Sequence, residues 1–270
     1  ANFHSTALVD PAGHLDDSLS VGPYAIFGPD VTMGAGSTVG SHCTIEGHTT
    51  IGQNNHVYSY TSLGAAPQDK KYAGEPTRLV IGHGNTIREF CTFNAGTVNG
   101  GGVTQVGDDN LFMAYVHLAH DCHIGSHTIF ANNSQLAGHV HVGDWAILGG
   151  FTVVRQFLRL GAHSFTAMCT LLFADLPPYV TCQGQPAVAR TVNAEGLRRR
   201  GFSPTRIAAV RAMHKALYRE NLSLAAAQER ILQIAQDKPE AQGDVDMMLD
   251  FLAGVSPKVG IARSRRRSVD

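Results

Sequence analysis

The densest run of chemistry-bearing side chains is His117-Leu118-Ala119-His120-Asp121-Cys122-His123, followed closely by His127, His139 and His141. A histidine beside an aspartate has the makings of a general base. An imidazole titrates near ~6.5, and a carboxylate both orients it and steadies its charged form. The same cluster suggests a second chemistry, a zinc site with three imidazole ligands and an open position, for which His117, His120, His123, His139 and His141 are the candidates. No spacing among them marks a ligand set. A third reading is a solvated surface pair, since polar residues mostly lie outside. Adjacent side chains on a strand point to opposite faces, so His120 and Asp121 can meet only where a corner redirects the chain.

The elements that would make such a corner are written in a period of six. Apolar residues recur at Val9, Leu15, Val21, Phe27, Met33, Val39, Ile45, Ile51, Val57 and Leu63, resume at Ile81, Ile87 and Phe93, and run from Val106 through Phe130 and Leu148 to Leu160. A helical face repeats near 3.6 residues and a strand face at 2, so this period means short straight segments joined by regular corners. Glycine follows the apolar residue at Gly22, Gly28, Gly34, Gly40, Gly52 and Gly64, as tight corners favour. Three hexads close one triangular coil, and about eight coils stacked at ~4.8 Å give a prism roughly 40 Å tall. That register sets His120 over Gly138 and diagonally beside His139.

Two interruptions, at 65–79 and 99–105, read as extruded loops. The hexads fade after Phe173, and Pro177-Pro178 marks an exit. Helical spacing then predicts segments over 204–220, begun by Ser203-Pro204, over 224–236 and over 245–252. The expected organisation is a prism over 1–190, a helical domain over 191–262 and a disordered tail over 263–270 rich in arginine and serine.

Composition narrows the functional classes. A net charge of -1 removes a global electrostatic case for nucleic acid. The 5 cysteines are widely spaced without a CxxC, which suggests neither a disulfide frame nor a zinc knuckle and fits reduced thiols in a cytoplasm. No apolar run approaches the ~18 residues of a membrane span, and the first residues lack a basic segment before an apolar core. Secretion and integral membrane insertion are therefore disfavoured.

Four segments together are more specific: QDKKYAGEPT at 68–77, AHDC at 119–122, ANNSQLAGHV at 131–140 and NAEGLRRRGFS at 193–203. In order and spacing the chain resembles the acyl-[acyl-carrier-protein]:UDP-N-acetylglucosamine O-acyltransferases over nearly its whole length. The resemblance implies a mainly β fold, a left-handed parallel β-helix of hexapeptide repeats with a C-terminal α-helical domain. It also implies a homotrimer with clefts between prisms. The implied reaction moves a 3-hydroxyacyl group from acyl carrier protein to the glucosamine 3-hydroxyl of UDP-N-acetylglucosamine, beginning lipid A synthesis. No metal or cofactor is called for.

By the same resemblance His120 is the general base, Asp121 its orienting partner and the Gly138 N–H an oxyanion donor. Gln68, Asp69, Lys71, His117, His139 and Gln156 would contact the sugar and diphosphate, and Asn193, Glu195 and Arg199 the nucleotide. Arg198 and Arg200 would suit phosphate or an acidic carrier protein, or else belong to a solvated charge run. Met168 stands at the family's acyl-chain ruler, where its bulk implies a shorter acyl group of the 3-hydroxydecanoyl class. Arg155 and Asn94-Ala95 depart from residues common in the family. The rival readings are a related hexapeptide acyltransferase acting on another nucleotide sugar, a metal-dependent hydratase like the γ-class carbonic anhydrases, and a scaffold.

Overall fold

The computed structural model describes residues 2–264. Each hexad forms a short strand whose second residue points inward, as in Ile129–Phe130, Gln135–Leu136 and His141–Val142. These inward residues are the apolar positions of the period, and Val21, Ile45, Leu63, Phe93, Leu118 and Leu148 are all at most 3% exposed. Successive strands go to three different sheets of 11, 9 and 8 strands, which form the faces of a left-handed prism. The first face begins at Asn2–Phe3, the second at Leu8–Val9 and the third at His14–Leu15. All pairing within the prism is parallel, at a step of eighteen residues in uninterrupted coils such as Gln135 on Val153.

Corners are made by residues in the left-handed region, and many are not glycine: Tyr115 and Asn133 between the first and second faces, Asp121 and His139 between the second and third, and Trp145 and His163 between the third and first. Such a conformation costs an L-residue roughly 1–2 kcal/mol, and ring stacking between coils offsets part of it. Tyr24, His42, Tyr60, Phe90 and Tyr115 stack in one column with centroids 5.0, 5.0, 5.1 and 4.9 Å apart. Inside, Phe112 lies 4.9 Å from both Phe93 and Phe130 and is fully buried. Phe112→Ala is expected to destabilise the protein by about 3–5 kcal/mol in denaturant unfolding, because a stiff stack of coils cannot collapse onto the cavity.

The two interruptions fall in adjacent coils. Val57 pairs with Ile87 and Ile87 with Phe112, steps longer than a coil, so the surplus is extruded. Pairing claims more of these segments than the period alone suggested, because strands Arg78–Ile81 and Val103–Val106 are four residues long and pair throughout. The first loop therefore ends before Arg78 and the second before Val103. A buried asparagine ladder keeps these coils in register: Asn55 Oδ1 accepts the Asn85 N–H at 2.9 Å, and Asn85 Oδ1 accepts the Asn110 N–H at 2.9 Å. Asn94 Nδ2 donates to the Ala66 carbonyl at 2.9 Å and ties the roots of the two extruded segments together.

After the prism, Val180–Gln183 and Val188–Val192 form an antiparallel hairpin on the first face. Among the described residues four α-helices follow: α1 at Ala194–Arg199, α2 at Pro204–Tyr218, α3 at Leu224–Asp237 and α4 at Gln242–Ala253. Ser203 and Ser223 cap α2 and α3 through their hydroxyls. The period did not reveal α1, which is too short to repeat a face. Tyr179, fully buried at the last corner, joins prism to helices by donating to Asp244, whose carboxylate also takes a bidentate pair from Arg206 at 2.8 Å. The expected tail is held at its start, where Arg263 accepts the Ala189 N–H and Ser264 bridges to Ala189. Residues 265–270 lie outside the described part.

Candidate active site

Asp121 is a corner residue with φ +61, and the turn it makes swings neighbouring side chains to one side. His120 Nδ1 thereby comes to 2.8 Å from Asp121 Oδ2. The carboxylate is 1% exposed yet well supplied with donors. The Thr97 N–H reaches Oδ1 at 2.8 Å, the Thr97 hydroxyl reaches Oδ2 at 2.6 Å, and the Asp121 N–H is accepted by the Thr104 hydroxyl at 2.8 Å. An ionised carboxylate only accepts, so His120 donates from Nδ1 and keeps Nε2 as the basic nitrogen.

Corner bonds from His139 N–H to the His120 carbonyl and from Phe157 N–H to the Gly138 carbonyl, both 3.1 Å, stack positions 120, 138 and 156. A Cβ on Gly138 would lie 2.5 Å from His120 Cε1 and 2.8 Å from Nε2, so the imidazole rests directly on this glycine. Among the described residues no backbone acceptor takes the Gly138 N–H. The His139 ring meets the His120 ring edge-on at 5.1 Å, stacks on Phe157 at 4.4 Å, and brings Nε2 to 3.7 Å from Asp121. His117, on the strand His117–Leu118 that leads into this corner, has Nδ1 2.7 Å from the hydroxyl of Thr92 on the neighbouring strand. Burial holds His117 and His139 below the usual imidazole range, so both are neutral hydrogen-bonding groups near pH 7.

Among the described residues of one chain, no three of these histidines come together. The ligand group among the described residues is His120, Asp121 and His139, with atoms within 4.8 Å. Oδ2 of its carboxylate already serves both the Thr97 hydroxyl and His120 Nδ1, so a cation taking that oxygen would displace one of them. His123 instead stacks on His141 at 4.7 Å on the third face.

The first loop leans toward this corner. Asp69 lies close enough to His139 to act on its charge, and Asp69 Oδ1 accepts the Lys71 N–H at 3.0 Å in a tight turn. Gln68, Lys71 and Gln156 are exposed. Met168, 71% exposed, lies next to Cys169 on the corner between first and second faces, away from the dyad. Asn193, Glu195 and Arg199 are not brought to His120 within one chain. They belong to the cap and first helix seated on the corner between third and first faces, where the Asn193 N–H meets the Tyr179 carbonyl. Asn193 Oδ1 caps α1 while its buried Nδ2 is unpaired among the described residues, and Arg199 pairs with Glu195 at 3.2 Å. Arg200 is structural, donating to His163 Nδ1 at 2.9 Å and lying 5.0 Å over the Trp145 ring.

Thr97, Gly100 and Thr104 are the site residues the sequence reading missed. Thr104 is recoverable in principle, since it sits about one coil before Asp121. Thr97 and Gly100 come from the extruded segment, which has no period.

The prism and the His–Asp pair at one corner have the architecture of the hexapeptide-repeat transferases, and residues 104–138 match the family described as bacterial transferase hexapeptide (six repeats). Residues 175–262 match that of UDP N-acetylglucosamine O-acyltransferase, domain 2. The chain is 68% identical to the acyl-[acyl-carrier-protein]–UDP-N-acetylglucosamine O-acyltransferase of Albidiferax ferrireducens, over 97% of this chain and 99% of that one. It is 56% identical to the enzyme of the same name from Thiobacillus denitrificans, over 94% and 96%. The chain belongs to the acyl-[acyl-carrier-protein]–UDP-N-acetylglucosamine O-acyltransferase family and is an acyltransferase. Among solved structures it is similar to the Francisella novicida UDP-N-acetylglucosamine acyltransferase, with TM-score 0.93, 37% identity and coverage of 98% and 95%. The Acinetobacter baumannii relative gives TM-score 0.92, 41% identity and coverage of 97% and 100%. No helix among the described residues is long and apolar enough to cross a membrane.

Proposed function

We propose that this chain transfers a 3-hydroxyacyl group from acyl carrier protein to the glucosamine 3-hydroxyl of UDP-N-acetylglucosamine by direct attack on the thioester, the first step of lipid A synthesis. The observation that carries the mechanism is the His120–Asp121 contact of 2.8 Å, with the imidazole lying on Gly138. Nε2 of His120 takes the hydroxyl proton as the oxygen forms its bond to the thioester carbon. The Gly138 N–H receives the developing oxyanion. When that intermediate collapses the C–S bond breaks, and the imidazolium returns its proton to the carrier thiolate. A thioester is already activated, so positioning and late proton removal suffice.

His117 and His139, both neutral, hydrogen-bond the sugar, with Asp69, Lys71, Gln68 and Gln156 around it. Asn193, Glu195 and Arg199 hold the nucleotide. These last three occupy a different corner of the same prism from the dyad, which supports a cleft completed between copies, as in the homotrimer the family resemblance implies. One chain gives the dyad and another gives α1. The four buried, unpaired thiols, Cys43, Cys91, Cys122 and Cys182, suit a reducing cytoplasm.

The test is turnover of UDP-N-acetylglucosamine with 3-hydroxydecanoyl and 3-hydroxytetradecanoyl carrier proteins, with and without chelator. Transfer that survives chelation is expected, and its loss would overturn the metal-free route. The decanoyl donor should be preferred. Met168→Gly is expected to shift the tetradecanoyl-to-decanoyl ratio upward by about tenfold or more, as removal of a blocking side chain does in an apolar groove. A wild-type preference for the longer donor would remove Met168 as the ruler.

A further inference from the structure

We propose that the extruded turn from Thr97 to Gly100 is the positioning device of the catalytic pair, fixing Asp121 so that His120 has one orientation and one tautomer. This rests on His120 being the base. Thr97 is 6% exposed, and both of its donors are spent on Asp121, the N–H on Oδ1 and the hydroxyl on the same Oδ2 that accepts His120 Nδ1. The carboxylate is held at both oxygens, which leaves its approach to the imidazole no freedom to swing. Gly100 closes the third side: its N–H bonds the Thr97 carbonyl at 3.0 Å, and a Cβ there would fall 2.0 Å from Asp121 Cγ. Gly100 does not have the left-handed φ of its neighbours Gly101 and Gly102, so only contact with the carboxylate demands glycine. Outer residues that aim a catalytic group commonly affect rate more than binding.

Thr97→Val preserves volume and deletes one donor. It is expected to lower kcat about 10- to 100-fold while KM for UDP-N-acetylglucosamine stays within about threefold. Thr97→Ser should restore most of the rate. Gly100→Ala should lower kcat at least as much. Gly101→Ala, whose added Cβ meets nothing within 4 Å, should leave kcat near wild type even if its φ of +96 costs stability. In an Asp121→Ala background Thr97→Val should have no further effect on kcat, because its target is gone. The same factor in both backgrounds, a loss confined to KM, or failure of serine to rescue would overturn the role. His120→Ala, assayed alongside, separates the two levels. If it is inactive while Thr97→Val turns over normally, only the positioning role fails; if it is active, the base assignment fails and the positioning role with it.

Discussion

His120→Ala is expected to lower kcat by about 10²- to 10⁴-fold, the usual value of a well-placed general base, with KM for UDP-N-acetylglucosamine changed less than about threefold. Two features support so large an effect from a side chain only 17% exposed. The imidazole has a defined partner at Nδ1 and so presents a single basic nitrogen. The nearest other imidazole acceptors do not replace it. His139 is turned edge-on to the ring and faces Phe157, and His117 is tied to Thr92. The fold should be untouched, since His120 lies on the outside of a corner and every apolar layer of the prism is made by other residues. Near-wild-type kcat in a properly folded His120→Ala protein would remove it as the base. Loss through KM alone would make it a sugar-binding residue instead.

The architecture was legible because it is periodic. One apolar residue in six specifies the inside of every coil, and the register it implies places His120 on Gly138 and beside His139. The corner condition for a His120–Asp121 contact was also readable, though the means of meeting it was not. A left-handed corner is tolerated by aspartate but not demanded by it, and aromatic corners such as Tyr115, Trp145 and Phe157 carry no recognised turn signal. They hold that conformation through contacts with the next coil, which sequence proximity does not show. The asparagines at 55, 85 and 110 would ordinarily be read as exposed, and only the stacked structure shows Asn55 accepting from Asn85 and Asn85 from Asn110. Thr97 illustrates the limit most clearly. It belongs to an aperiodic insertion, so nothing in its spacing connects it with Asp121 across 24 residues.

The charged residues divide by the same logic. Arg198, Arg199 and Arg200 look equivalent in a row, yet Arg200, at the C-cap of α1, turns into the corner stack of Trp145 and His163 while the other two, on the helix, pair with Glu195 outside. Burial and the Arg200 charge push His163 down to about 4, which keeps it a neutral acceptor for that guanidinium. Arg198 and Arg199, paired with Glu195, and the dyad then occupy different corners on either side of the third face.

Gly138→Ala is the sharper test of the site because it adds a single methyl group. The backbone there is outside the left-handed region, so alanine is conformationally permitted, and the three nearest atoms to the added Cβ all belong to the His120 ring. At 2.5 Å from Cε1 the methyl must push the imidazole off the corner, away from Asp121 Oδ2 and from the place where the sugar hydroxyl would sit. Displacement of a reacting group by about 1 Å commonly costs a hundredfold in rate, and kcat should fall by at least about that factor. Thermal stability should change little, since the ring can move outward into solvent. The cause is separable from any damage to the oxyanion donor. In a His120→Ala background the clash disappears, so adding Gly138→Ala should have almost no further effect on the residual rate if displacement of the base is the whole mechanism. A further hundredfold loss in that background would instead assign the effect to the Gly138 N–H and the oxyanion it receives. An unchanged rate in the single variant would mean that the ring does not rest on this glycine during turnover.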